Sequence, residues 1–166
     1  MDASRQVELV GLLHAAVDEL AAGVARAHGP RLRCGRGCSG CCVDDLTVFE
    51  VEAARIRAAF PELLAFEGAG PPGACAMLDA QGACRIYAAR PYVCRTQGLP
   101  LRWLEGEVER RDICALNEPG PPLEDLAAEA CWSLGPFEAR LAAWQAATGA
   151  PGVRVALRDL FAPRAG

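Results

Sequence analysis

The sequence predicts an α+β fold: a compact, helix-rich single domain with small β-hairpins gathered around a cysteine-rich centre. Three observations point there. Apolar residues recur at helical spacing near both ends of the chain, over residues 5–28 and 136–148. The middle of the chain carries short apolar runs broken by glycine-containing turns. Eight of the nine cysteines fall between residues 34 and 114, among those turns.

The length of 166 residues suits one domain, 1–166, and 52% hydrophobic residues are enough for a buried core. A net charge of −4 argues against a nucleic-acid-binding surface, which needs a basic excess. No run approaches the roughly 20 apolar residues of a membrane helix. The first residues, with Asp2, Arg5 and Glu8, lack the pattern of a signal peptide. An odd cysteine count in a chain of this length is unlike a secreted disulfide scaffold. A cytoplasmic location is therefore expected, with neither nucleic acid nor membrane as partner.

Residues 5–28 predict an amphipathic helix with Val10, Leu13, Val17, Leu20 and Val24 on its buried stripe. Asp2 or Ser4 can cap it, and Gly29-Pro30 stops it. Thr47-Val48-Phe49-Glu50 reads as a capping box opening a second helix, with Phe49, Ala53, Ile56 and Phe60 buried and Pro61 at its close. Residues 67–73 are a loop. Residues 75–78 and 83–87 predict two short strands about a turn, and 88–93 a turn or one helical turn. A hairpin over 99–104 and 107–113, turning at Glu105-Gly106, delivers Cys114. The C-terminal segment, 123–161, reads as helical over 123–132 and 136–148, with Phe137, Leu141 and Trp144 on one face, then a short tail.

The densest chemistry is Cys34-Gly35-Arg36-Gly37-Cys38-Ser39-Gly40-Cys41-Cys42, a C-x3-C-x2-C-C run. Glycine reaches positive φ without strain, so the loop can curl and aim several thiols at one point. Thiolates gathered this closely repel one another unless a cation sits among them. A soft-metal site is the functional reading, holding zinc or iron, with an iron–sulfur cluster as one form of the latter. Buried thiols or disulfides are the bland alternative. Cys75, Cys84 and Cys94 form a second group, interleaved with Arg85, Arg90 and Arg95. Guanidinium groups there would offset thiolate charge and donate to sulfur, or else lie on a solvated face. Neighbouring side chains diverge in extended backbone, so Cys41 and Cys42 are expected to serve different points. One would join Cys34 and Cys38, and the other face the second group.

Other features are weaker. Asp44 and Asp45 are oxygen ligands or, more plainly, charges near a helix N-terminus. His28 is close enough in sequence to Cys34 to be a minor candidate ligand, and His14 sits within the first helix. Gly35-x-Gly37-x-x-Gly40 matches a dinucleotide fingerprint, but no apolar strand precedes it. Cys34-x3-Cys38-x2-Cys41 matches the spacing of radical S-adenosylmethionine enzymes. Yet the later chain does not alternate strand and helix, and Gly40 stands where an aromatic is common there.

The cysteine loop together with Cys84-x-Ile86-Tyr87-x-x-Arg90-Pro91-x-x-Cys94-Arg95 resembles the YkgJ-type cysteine-cluster proteins, known as zinc- or iron-chelating domains. The run from Cys94 to Leu101, with Cys114-x-Leu116-Asn117, is similar to one branch of that family. The resemblance covers about residues 34–117. It implies a metal site built from Cys34, Cys38, Cys41, Cys42, Cys75, Cys84, Cys94 and Cys114, with Cys131 outside it as a buried helical thiol. Ala76 stands where the family often has proline, and Gln97 where the branch often has histidine. The implied function is metal binding, with a metal ion as the partner. Two alternatives remain beside a closed structural centre: a redox or sensing iron–sulfur protein, and a protein-modification factor, since a similar segment occurs in a flagellin lysine methylase. No Ser/His/Asp set is visible, so the sequence yields no reaction; the reading leans away from an enzyme and leaves that question open.

Overall fold

The computed structural model describes residues 2–35 and 37–162. It has the expected α+β character: helices with two small sheets. Arg36, inside the cysteine loop, lies outside the described residues.

Helix α1 (Ala3–His28) runs as predicted and turns its face of Val10, Leu13, His14, Val17 and Ala21 inward. Leu20 was expected on that face but is 55% exposed. At 3.6 residues per turn the buried line passes from Val17 to Ala21, and Leu20 falls beside it.

The capping box does not form. Thr47–Phe49 is a strand, β1, and helix α2 (Glu50–Ala59) begins only after it, with no side-chain cap bond. A β-branched and aromatic run finds a strand partner instead. The tail supplies it: β5 (Arg154–Ala156) pairs antiparallel, with Thr47 opposite Ala156. Thr47 Oγ1, the would-be cap, accepts from Arg154 Nε at 3.1 Å. The tail then buries Leu157 and Leu160 in a short 3-10 turn. After α2, a π turn (Leu63–Glu67) buries Leu63 and Leu64.

The strands expected over 75–78 and 83–87 shrink to one bridge, Leu78 with Cys84. Asp79 Oδ1 accepts the N–H groups of Gln81 and Ala83, and Gly82 takes φ +76°. The backbone is thus spent on tight turns. A 3-10 turn (Tyr87–Ala89) and the short helix α3 (Tyr92–Thr96) follow.

The second hairpin forms as expected: β2 (Leu101–Glu105) pairs antiparallel with β3 (Val108–Asp112). Its other edge takes β4 (Trp132–Ser133) in parallel. The helix predicted over 123–132 is replaced by two 3-10 turns (Leu123–Asp125 and Ala128–Ala130) and this strand. Arg111 Nη1 donates to the carbonyls of Leu123 and Leu126 at 2.6 Å each, taking acceptors a helix would use. Cys131 is buried as expected, but in extended rather than helical backbone. Helix α4 (Pro136–Ala147) buries Leu141 and Gln145, while Phe137 and Trp144 are only partly covered.

Two apolar clusters form the core. One joins β1, α2 and the tail around Ile56, Met77, Ile86 and Leu157. The other packs α1 and α4 around Val10, Val17, Tyr92, Trp132 and Leu141. Burying each such side chain is worth about 1.5–3 kcal/mol. Trp132 Nε1 donates to Tyr92 Oη at 3.0 Å, so the indole N–H is not left unpaired. Among the described residues, no helix is long and apolar enough to cross a membrane.

Candidate metal centre

The cysteine loop, the turns at 75–86 and α3 surround a cavity of about 330 Å³ beneath α1. Cys34, Cys38, Cys41, Cys42, Cys75, Cys84 and Cys94 all line it. Ala21, Ala22 and Ala25 of α1 form an apolar wall.

Asn117 sets the position of Cys34. Its Oδ1 accepts the N–H of Arg33 at 2.8 Å, its Nδ2 donates to Gly98 O at 2.6 Å, and its own N–H donates to Cys114 O at 3.0 Å. One side chain therefore ties the loop's entry to Gly98 and to the turn after Cys114. Gly98, at φ +92°, lies so close that a Cβ there would stand 2.5 Å from Cys34 Cβ and 3.2 Å from its Sγ. Within the loop, Cys38 N–H donates to Gly35 O and Cys42 N–H to Ser39 O, both at 3.0 Å, so the run is two successive tight turns.

Cys75 sits beside Cys42, donating its N–H to Cys42 O at 3.0 Å. The Met77 N–H near the Cys75 sulfur, and the Ile86 N–H near the Cys84 sulfur, lower the pKa of those two thiols. An N–H two residues on favours the thiolate form, which is the form that binds metal. Cys94 is carried by α3, whose first N–H, from Tyr92, is held by Glu52 Oε1 at 2.7 Å.

The thiols perturb one another. Burial pushes Cys34 up, and Cys38, Cys41 and Cys114 push it further. Burial, then Cys41, Cys75 and Cys84, push Cys42 up to about 12. Cys94 is raised well beyond that range of ordinary thiols by burial and by Cys75, Cys84, Cys42 and Cys41. Cys75 and Cys84 are raised chiefly by burial, partly offset by their N–H donors. Cys114 does not line the cavity; Asn117 ties its turn to the Cys34 side of the loop. Among the described residues, no three His, Cys, Asp or Glu side chains are grouped closely enough to hold a metal ion as they stand. The seven sulfurs instead share a space. Their type, their N–H donors and their mutual repulsion fit a thiophilic cation such as zinc or iron.

The arginines divide. Arg85 donates to the carbonyls of Ala76, Gly68 and Met77 and covers the Phe161 ring, bracing the back of the Cys75 turn. Arg95 is held by Asp18 and by the carbonyls of Arg90 and Ala88. Both are braces rather than donors to sulfur. Arg90 lines the cavity, lies 4.1 Å over the Tyr87 ring and 3.8 Å from Asp18, and its buried Nε has no partner among the described residues. Its charge lowers the thiol pKa of both Cys34 and Cys84.

Three minor candidates are not ligands here. His28 Nε2 bonds to Ala130 O at 2.7 Å. Asp44 pairs with Arg158 and accepts the N–H of Gly73, which hold its carboxyl below the usual range. Asp45 is exposed and does not line the cavity. Cys131 also lies outside the cavity, beside Arg111 and Arg102. The supporting roles of Glu52, Gly98 and Asn117 were not anticipated. The Cys114-x-x-Asn117 spacing was the available signal for the last.

A cavity walled by thiols and braced by arginine defines a thiolate-rich metal-binding protein. Residues 33–116, about half the chain, match the model of the CxxCxxCC family, whose description is "Putative zinc- or iron-chelating domain". The chain belongs to that family, and the matched span contains all eight cysteines of the predicted set. Its metal is accordingly zinc or iron. No curated protein and no solved structure matches the chain.

Proposed function

We propose that this chain holds its zinc or iron through Cys34, Cys38, Cys41, Cys42, Cys75, Cys84 and Cys94, which line the cavity under α1, together with Cys114, which Asn117 ties to the Cys34 side. The observation that carries this is the convergence of seven thiols, from three separate stretches of chain, on one space of about 330 Å³. Binding rather than catalysis is favoured by the state of the imidazoles. His14 and His28, the two histidines of the sequence, are committed to Glu52 and to the Ala130 carbonyl. Neither imidazole lines the cavity, so neither can serve as a general base to a group held among the thiols. Cys34 and Cys41 are exposed, so the metal loads from that side. All nine cysteines are free thiols, which suits a reducing, cytoplasmic setting.

The test is anaerobic purification followed by metal analysis and a visible spectrum. One or more zinc or iron atoms per chain, lost when Cys84 or Cys94 is replaced, is the expected result. A colourless protein identifies zinc, and broad visible absorption bleached by air identifies an iron–sulfur cluster. A chain that takes up neither metal when both are supplied overturns the proposal.

A further inference from the structure

We propose that the eight thiols form two centres: Cys34, Cys38, Cys41 and Cys114 hold an outer ion, and Cys42, Cys75, Cys84 and Cys94 hold an inner one. This rests on the metal-binding reading above and adds the division.

The backbone makes the grouping. For the outer set, Asn117 bonds at once to Arg33, Gly98 and Cys114, which brings the entry of the cysteine loop against the end of the β2–β3 hairpin. Cys38 follows Cys34 by a single tight turn. For the inner set, the 3.0 Å bond from Cys75 N–H to Cys42 O places those two side by side. The Leu78–Cys84 bridge and the bond from Arg85 N–H to Met77 O, at 2.9 Å, set the Cys75 and Cys84 turns against each other. Cys94 reaches the same region from α3.

The sets also differ in environment. Cys34 and Cys41 are exposed, whereas Cys75 is buried among Met77, Ile86 and Leu157. The division falls within the tight turn from Ser39 to Cys42, where the Cys41 and Cys42 side chains lie against each other. It assigns Cys41 to the side of exposed Cys34, and Cys42 to the side of Cys75, whose N–H it accepts. Four thiolates on one divalent ion carry a net charge near −2, so two such centres repel. Arg90 answers this. It acts on Cys34 of one set and Cys84 of the other, and its buried Nε has no protein partner among the described residues. A cation with a spare donor is what two adjacent anionic centres need between them.

The test uses the full chain, stripped of metal anaerobically and titrated with Co²⁺, whose thiolate complexes absorb in the near ultraviolet. Wild type should saturate at two equivalents. Cys114→Ser and Cys84→Ser should each saturate at one, with different end-point spectra. Saturation of wild type at one equivalent, or loss of all binding in each variant while the helical circular dichroism is retained, overturns the division and leaves metal binding intact. Should a variant fail to fold, ¹¹³Cd resonance on wild type decides. Two uncoupled signals support two centres. One signal, or scalar coupling between two, means a shared sulfur and a single cluster. A wild-type chain that takes up neither Co²⁺ nor Cd²⁺ overturns the metal-binding reading as well.

Discussion

Glu52 Oε1 accepts the backbone N–H of Tyr92 at 2.7 Å, a buried carboxylate on α2 fixing the first residue of α3. The same oxygen stands 3.0 Å from His14 Nε2 on α1. Three helices thus meet at one atom, and the third carries Cys94. Glu52→Ala leaves two buried polar groups without a partner and should cost about 3–5 kcal/mol. Glu52→Gln keeps an acceptor and should cost less. Urea unfolding of both variants measures this. An alanine variant within 0.5 kcal/mol of wild type would show that the junction is not what holds α3.

His14 gives the fold an acid limit. Burial holds its pKa below the ordinary 6.5, ahead of the opposing bond to Glu52, with Arg95 and Arg55 also lowering it. The unfolded chain then binds the extra proton first. Stability is complete above about pH 6.5 and falls as pH drops through and below that value, by at most about 1.4 kcal/mol per unit for this one group. Unfolding free energies from pH 7 to pH 5 should show that slope, and His14→Gln should flatten it relative to wild type.

The metal-free protein should weaken in alkali, and the loaded one should not. Cys42 is pushed up to about 12, and Cys34, Cys75, Cys84 and Cys94 are raised as well. Unfolded thiols ionise near 8.5, so between about pH 8.5 and 12 the unfolded state has fewer protons and gains on the folded one. Bound metal replaces those protons and removes the dependence. Melting scans at pH 7, 9 and 10, with and without zinc, decide it. Equal melting shifts in the two forms would contradict the assignment of these thiols to the metal.

Gly98→Ala should loosen the outer side of the site. At φ +92° an alanine is strained by about 1–3 kcal/mol, and its Cβ would meet Cys34 Cβ at 2.5 Å. Cys34 must move, and metal content should drop while Gly106→Ala, which meets nothing within 4 Å at its own positive φ, leaves it unchanged. Metal per chain in the two purified variants is the comparison. Equal occupancy would mean that Cys34 is not held by this contact.

Cys131→Ala should keep its metal and lose about 1–2 kcal/mol at most, since its buried sulfur lies outside the cavity. Cys94→Ala takes a sulfur from the buried wall, and metal content should fall sharply. The reverse pattern, measured under one anaerobic protocol, would overturn the choice of ligands.

Local signals were the legible ones. The α1 stripe, the Glu105-Gly106 turn and the α4 face all follow from spacing within a few residues, and each was readable. The Thr47–Phe49 segment misled because a capping box and a short strand look alike until a partner is known. That partner lies a hundred residues on. Arg111, 12 and 15 positions from the carbonyls of Leu123 and Leu126, was hidden in a different way: nothing in local spacing shows which acceptors an arginine will take. At the site, residue type and clustering pointed to the thiols, and Arg90 fell where a donor was expected. Arg85 and Arg95 are bonded elsewhere, Arg85 to carbonyls freed by the tight turns and Arg95 to Asp18 of α1, although the Arg85 charge still lowers the Cys75 and Cys84 thiols.

The pairing of Asp44 with Arg158 spans 114 positions of chain. A ribosome adds about 5–20 residues per second. The cysteine loop therefore emerges roughly 6 to 23 seconds before the brace that fastens its far end, on the same translation rate. During that interval nascent thiols stand open to oxidants and to whatever metal the cell supplies.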